Sequence, residues 1–203
     1  APDAWQDGDV FTVTLDTNVL WPSLQRDFLL SLAIEGAYRP IWSSVILDEL
    51  EFHETAKLIK RGVPADVAGE RASTLGAAMR REFSDAEVVG WEPLEGTFGL
   101  PDPDDEHVVA AAVIGGAGVI VTENTKDFPQ SKMPRSIQVL TAREFTRNTV
   151  ALNPRRALAA LAEISARSGR HGPKLTVQNV LDTLHDRYQL VEAVDMMIEV
   201  AGG

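Results

Sequence analysis

A short apolar stretch near the N-terminus, FTVTLDTNVLW at residues 11–21, constrains the fold most strongly. Apolar residues alternate with threonines up to Leu15, and the polar run Asp16-Thr17-Asn18 then interrupts the pattern. A β-branched and aromatic segment bounded by turn formers is typical of a buried strand. The strand would place Asp16 at its C-terminal end, where open α/β sheets bind ligands. Asp16 is therefore either a helix cap or the first member of a site.

The rest of the chain alternates strand patterns with helix patterns as far as residue 150, which predicts a parallel, three-layer α/β/α sheet. About five strands are expected, at residues 11–15, 38–42, 87–89, 118–122 and 136–140. From Asn153 onward the pattern is purely helical. We therefore expect a flexible N-terminus at residues 1–9, an α/β domain at residues 10–150 and a helical segment at residues 151–203.

Composition narrows the class of protein. The 203 residues are 44% hydrophobic and 24% charged, as in an ordinary globular protein. The absence of cysteine excludes disulfides and thiolate metal sites. No apolar run approaches the ~18 residues that indicate a membrane span, and the first ten residues lack a signal-peptide pattern. We expect a cytoplasmic protein that does not bind membranes.

Charge is unevenly distributed along the chain. The net charge is -11, yet residues 126–203 are net positive. An acidic body with a basic flank suits a metal-centred site beside a surface that contacts phosphates. A basic helix face that is merely solvated is the simpler alternative. Lys126, Lys132 and Arg135 are the candidates for contacts with such phosphates.

Four acidic residues occupy comparable positions in the predicted sheet. Asp16 ends the first strand, Glu49 lies on the helix after the second, Asp105 begins a helix, and Asp127 follows the strand VIVT. Carboxylates gathered at one edge repel one another, and a hard divalent cation removes that repulsion. Such a centre suits hydrolysis of phosphodiesters, in which metals activate water and neutralise developing charge.

The motifs LDTNVL, SSVILDEL, DPDDEHVVAAA and VIVTENTKDF, in this order, resemble the PIN domain. More narrowly, the chain resembles the VapC-type ribonuclease toxins of bacterial toxin–antitoxin pairs, with an extra C-terminal helical segment. The resemblance implies that Asp16, Glu49 and Asp105 bind Mg²⁺ or Mn²⁺ and that Asn18 steadies the turn at Asp16. It further implies an endoribonuclease, a VapB-type antitoxin as partner, and a homodimer.

The fourth acidic position departs from the family pattern. Many relatives carry an acid two positions after the strand-ending threonine, where this chain has Asn124. Asp127 completes the site through a bent loop or simply caps a turn, and Asn124 is a neighbour of the site. Asp105 is preferred over Asp102 and Asp104 because the apolar run that follows the acid in the family begins at Val108.

Two other functions are also compatible with these motifs. A PIN scaffold with weak catalysis, which binds RNA or a partner protein, is the main alternative. A phosphatase-like hydrolase with Asp16 as nucleophile is a third interpretation, although such enzymes usually have an acid at the position of Asn18. The scattered histidines are expected to be structural or exposed, and Trp21 and Trp42 to lie in the core. No base-stacking platform is expected.

Overall fold

The computed structural model describes residues 11–169 and 173–202. The predicted flexible N-terminus lies outside these residues. The strands are β1 (Thr12–Leu15), β2 (Arg39–Ile41), β3 (Val119–Val121) and β4 (Gln138–Leu140). The α-helices are α1 (Thr17–Leu20), α2 (Ser23–Ile34), α3 (Ser44–Lys60), α4 (Ala65–Glu82), α5 (Glu106–Ile114), α6 (Ala142–Leu152), α7 (Pro154–Arg167), α8 (Val177–Asp186) and α9 (Val191–Ala201). Short 3₁₀ turns cover Glu92–Leu94, Pro103–Asp105 and Thr125–Asp127.

The sheet is parallel throughout, in the order β2-β1-β3-β4, and confirms the α/β class. Its central strand β1 pairs with β2 on one side and with β3 on the other. The carboxyl ends of β1 and β3 therefore lie side by side. This places the segments that follow these two strands at the same edge of the sheet.

The sheet has four strands within the described residues, whereas about five were predicted. The predicted strand at residues 87–89 makes a single parallel bridge between Glu87 and Trp42. The pairing cannot extend, because Val89 is 79% exposed at the surface and Gly90 turns the chain with a φ of +77°. Strand propensity alone does not overcome the lack of a neighbouring strand.

Side-chain caps mark the starts of α3 and α6. The Ser43 hydroxyl accepts a hydrogen bond from the Ile46 amide at 3.3 Å and begins α3. Thr141 and Glu144 form a capping box at the start of α6. Such caps satisfy amide donors that have no partner within the helix. The Ser43 cap fixes where α3 begins and therefore where Glu49 lies on that helix.

The C-terminal helices share one hydrophobic core with the sheet. That core runs from Val13 to Met197, and α7 packs against α2 through buried residues that include Leu161. Phe145 of α6 meets Tyr38 edge to face, with ring centroids 4.9 Å apart. The boundary at residue 150 stays a prediction. Within the described ranges, no helix is both long and apolar enough to cross a membrane.

The two tryptophans that were expected in the core behave differently. Trp42 is fully buried at the end of β2, as predicted. Trp21 is 44% exposed, so that prediction is wrong. Trp21 follows the single short turn of α1, where the chain reverses at the surface before α2.

Candidate active site

Asp16 lies at the centre of the site, at the carboxyl end of β1. It is 5% exposed and caps α1, with Oδ1 accepting a hydrogen bond from the Thr17 amide at 2.7 Å. Its Oδ2 accepts hydrogen bonds from the Thr122 hydroxyl at 2.7 Å and the Asn18 amide group at 2.6 Å. Burial raises the pKa of Asp16 and the charge of Glu49 adds to the rise, although the hydrogen bonds from Thr122 and Thr17 oppose it.

Thr122 connects the ends of the two central strands. Besides donating to Asp16, its hydroxyl accepts hydrogen bonds from the Asn18 side chain at 2.9 Å and the Asn124 amide at 3.0 Å. Asn18 in turn accepts a hydrogen bond from the Glu123 amide at 2.9 Å. Asn18 and Thr122 together fix the orientation of the Asp16 carboxylate. The sequence offered only a weak signal for Thr122, namely a threonine that ends the strand beside β1.

Glu49 enters the site from the second turn of α3. Its Oε2 accepts a hydrogen bond from the Thr17 hydroxyl at 2.5 Å, and its Oε1 lies 3.8 Å from Nε2 of His107. Burial acts to raise the pKa of Glu49, but the imidazole of His107 and the Thr17 hydroxyl outweigh it, with help from the charge of His53. The pKa of Glu49 is therefore lowered, and the group is ionised at neutral pH.

His107 is a site residue that the sequence reasoning missed. It is 2% exposed, and its Nδ1 lies 2.8 Å from the hydroxyl of Ser43, the residue that caps α3. These contacts couple the start of α3 to α5, on which His107 lies. Its contacts are far away in the chain, so no local spacing pointed to them. A histidine inside the apolar run of α5 was the one available signal.

Asp105 occupies the N-cap position of α5 at the end of a 3₁₀ turn, without a side-chain capping hydrogen bond, and is partly buried. Burial raises its pKa to about 6, and the negative charges of Asp16, Asp102 and Asp127 contribute to the rise. Asp102 itself accepts a hydrogen bond from the Asp104 amide at 3.0 Å and caps that turn, whereas Asp104 is exposed. The charge of Asp16 therefore reaches Asp105 across the site.

Glu106, the residue after Asp105, anchors the preceding loop. It is 2% exposed, and its carboxylate accepts hydrogen bonds from three consecutive amides at residues 98–100, at 2.7 to 3.2 Å. Burial acts to raise the pKa of Glu106, but these hydrogen bonds outweigh it and lower the pKa. The loop is therefore held against the start of α5, where Asp105 lies.

Asp127 and Asn124 pair with each other in the turn after β3. The Asn124 side-chain amide donates to Oδ2 of Asp127. Asp127 is near enough to raise the pKa of Asp105, so both flank the same acidic edge. Glu123 is turned toward α6 instead, where its carboxylate accepts a hydrogen bond from the Ala142 amide at 3.1 Å.

The four acids come from four separate elements, and charge effects link them in pairs: Glu49 acts on Asp16, and Asp16 and Asp127 act on Asp105. Their hard oxygen donors suit Mg²⁺ or Mn²⁺, and their mutual repulsion is what a cation relieves. In the described part of the chain, however, no three Asp, Glu, His or Cys side chains lie close enough together to form a ready-made metal site. The donor set fits a divalent ion in chemistry, and ligation by these residues stays a prediction.

The three predicted RNA-contacting residues lie in the segment between β3 and β4. Lys126, Lys132 and Arg135 are all exposed, and none forms an ion pair with a described residue. The Lys132 ammonium lies beside Gly99, in the loop that Glu106 anchors. A Cβ added to Gly99 would lie 3.6 Å from the Lys132 nitrogen. These cations are thus free to meet an anionic ligand on this side of the acidic edge.

Comparison with known proteins identifies the family. No curated protein and no solved structure matches the chain. The family model of the PIN domain matches residues 12–126, more than half of the chain. The matched segment contains Asp16, Glu49 and Asp105 and ends one residue before Asp127. This chain belongs to the PIN-domain family.

Proposed function

We propose that this protein is a metal-dependent endoribonuclease that hydrolyses RNA phosphodiester bonds. A nuclease-type function follows from membership of the PIN-domain family. The observation that carries the finer proposal is the environment of Asp105, where burial first and then the charges of Asp16, Asp102 and Asp127 raise its pKa to about 6. Carboxylates that are kept close together although their charges repel one another are typical of a site that binds a cation.

In this proposal Asp16, Glu49 and Asp105 hold Mg²⁺ or Mn²⁺, and Asp127 supplements them. An ion held there would supply Lewis acidity, which would lower the pKa of water and neutralise charge on the phosphate. Thr122 and Asn18 keep the Asp16 carboxylate in one orientation through hydrogen bonds of 2.7 and 2.6 Å.

His107 and Thr17 hold the Glu49 carboxylate in a similar way, through contacts of 3.8 and 2.5 Å to its two oxygens. Preorganised ligands need little rearrangement when a substrate arrives, which favours catalysis. Both side chains act on Glu49 and not on the substrate, so they are positioning residues in this account.

The test is cleavage of a mixed RNA pool by the wild-type protein and by Asp16→Asn, each with Mg²⁺, Mn²⁺ or EDTA. Wild type should cut RNA only with a metal, and the variant should lose that activity while keeping its thermal unfolding transition. Asp104→Asn is the matched control, since it removes an exposed carboxylate from the same edge and should cut normally. Equal cutting by wild type and Asp16→Asn would contradict the proposal.

The exposed cations between β3 and β4 are proposed to hold the RNA backbone. Phosphate contacts release counterions, so the affinity falls as salt increases, with a slope of about 0.7 per contact on single strands. Lys132→Ala/Arg135→Ala should weaken cleavage of all sequences similarly and flatten the salt dependence. An unchanged salt slope in this double variant would remove both residues from the RNA-binding surface.

We further propose that the enzyme is the toxin of a toxin–antitoxin pair and acts in the cytoplasm as a homodimer. The VapC-like motifs support this, and the acidic edge would accept a basic side chain from a VapB-type antitoxin. Expression of wild type in a bacterial host should arrest growth, and expression of Asp16→Asn should not. Growth arrest by both proteins would show that the effect does not depend on the acidic site.

A scaffold that binds RNA without cutting it is the second candidate. It is favoured by Asn124, which replaces an acid and engages the carboxylate of Asp127. Wild type that binds RNA and Mn²⁺ but does not cut would support this function. Robust metal-dependent cleavage would exclude it.

A further inference from the structure

Two exposed aromatic side chains and a histidine lie together next to Glu49. Trp21 is 44% exposed and Phe52 is 70% exposed, and His53 between them is also exposed. The ring of His53 lies 6.1 Å from that of Trp21 and 5.6 Å from that of Phe52, at interplanar angles of 55° and 72°. Tilted rings do not cover one another's faces. We call these three residues the aromatic patch.

The aromatic patch borders the acidic edge directly. Phe52 and His53 lie one turn after Glu49 on α3, and the charge of His53 reaches the Glu49 carboxylate. Trp21 ends the turn that Asp16 begins, with its amide donating to the Thr17 carbonyl at 2.8 Å. The patch is therefore anchored on both elements that deliver these acids.

The patch and the basic residues lie on opposite sides of the acids. The patch is carried by α1 and by α3, the helix that follows β2, whereas Lys126, Lys132 and Arg135 lie between β3 and β4. In the sheet order β2-β1-β3-β4, the carboxyl ends of β1 and β3 lie between these two regions. A single-stranded RNA that crosses this edge of the sheet would meet cations first, then carboxylates, and then exposed rings.

The sequence alone predicted no base-stacking platform, but Trp21 is exposed rather than in the core. We propose that the aromatic patch stacks an unpaired base of the RNA substrate, next to the phosphate that is cleaved. The inference rests on the proposed endoribonuclease function. Single-stranded nucleic acids are held by cations on their phosphates and by aromatic faces on their bases. Cations on one side of the carboxylates and rings on the other side could provide both kinds of contact around one phosphodiester.

The composition of the patch favours a base over an apolar protein surface. Among the large hydrophobic residues exposed in the described part of the chain, Trp21 and Phe52 are the aromatic ones. The others are aliphatic, and most lie on other elements. An aromatic ring offers a π-face to any base, which aliphatic side chains do not. Concentration of the exposed rings beside Glu49 is therefore the feature that selects a nucleobase as the ligand.

The test combines variants with abasic RNA. A single-stranded RNA containing a cut site mapped with wild type is prepared in a series, each member lacking one base near the cut. For wild type, loss of the stacked base should raise KM by about tenfold, within the range for one stacking contact. Trp21→Leu and Phe52→Leu should each raise KM for the intact RNA by a similar factor, with a smaller change in kcat.

The decisive observation is whether the effects of base removal and of the leucine substitutions on KM add up. If the base stacks on the patch, the abasic RNA should lose little further affinity in Trp21→Leu/Phe52→Leu, because the contact is already absent. Trp21→Phe and Phe52→Tyr keep an aromatic face and should restore a KM near that of wild type. Leu152→Ala, which trims a side chain that is 60% exposed on α6, is the matched surface control and should change nothing.

Several outcomes would overturn the proposal. Leucine variants that cut and bind RNA like wild type would show that the patch is not a base site, while the nuclease function would stand. Variants with unchanged RNA kinetics but an altered size-exclusion volume would identify the patch as a protein interface. Wild type that cuts no RNA with either metal would remove the nuclease function and this inference together.

Discussion

Replacing Asp105 by asparagine should stabilise the metal-free protein, although the variant loses a proposed metal ligand. The carboxylate is destabilised by burial and by the charges of Asp16, Asp102 and Asp127, which raise its pKa from 3.8 to about 6. A neutral amide of the same shape removes that repulsion. Asp105 accepts no capping hydrogen bond at the start of α5, so the substitution breaks no contact of that kind.

The size of the effect follows from the pKa. Each pKa unit corresponds to about 1.4 kcal/mol, so the rise to about 6 sets an upper bound of roughly 3 kcal/mol at neutral pH. Because Asp105 is only partly buried, solvent screens the interaction and we expect about 1 kcal/mol. For a protein of this size, that amount raises Tm by about 2 to 4 °C.

The pH dependence has a definite sign. With the pKa raised on folding, the folded state binds more protons than the unfolded state between pH 3.8 and about 6. The stability of wild type therefore falls relative to that of Asp105→Asn as the pH increases through this window. The advantage of the variant should be complete above about pH 6 and absent below 3.8.

The assay is thermal unfolding of both proteins in EDTA from pH 3.5 to 8, repeated with excess Mg²⁺. Added Mg²⁺ should raise the Tm of wild type more than that of the variant, since an ion that binds only the folded state stabilises it. Asp104→Asn, which removes an exposed charge one residue away, is the control and should unfold like wild type at pH 7. An Asp105→Asn variant less stable than wild type at pH 7 in EDTA would contradict the expected relief of charge repulsion.

Three further substitutions test other parts of the structure. Glu106→Gln should cost about 1–3 kcal/mol and accelerate hydrogen exchange at the amides of residues 98–100, which lose an ionised acceptor. Thr122→Val should lower stability by a similar amount and reduce metal affinity, because Asp16 loses a buried donor. Leu161→Ala should cost about 2–5 kcal/mol in one cooperative transition monitored by calorimetry and circular dichroism, because α7 shares the core of the sheet; a separate low-temperature transition would contradict a shared core.

Much of the fold was predictable because its signals are local. Alternation of apolar residues with threonines located β1, and a short apolar run located β3. Cap-forming side chains, Ser43 or Ser44 before α3 and Thr141 before α6, located those two helices. The parallel order then required that residues after β1 and β3 share one edge, which is why Asp16 was placed there correctly relative to the sheet.

The remaining features depend on contacts between distant segments. Residues 87–89 have strand propensity but no second neighbour, so they form only a bridge. His107 is defined by Ser43 and Glu49, which are more than fifty positions away. The aromatic patch forms because the end of α1 lies against α3, and the spacing of Trp21 and Phe52 in the chain carries no trace of that contact.

Mn²⁺ binding measured by electron paramagnetic resonance tests most directly whether the acids at this edge hold a divalent ion together. Wild type should bind Mn²⁺, and Asp105→Asn and Glu49→Gln should each bind at least about tenfold more weakly, because each loses a charged ligand. The affinity of Asp104→Asn should match that of wild type. Equal Mn²⁺ binding by all four proteins, or RNA cleavage by a wild type that binds no Mn²⁺, would contradict the account.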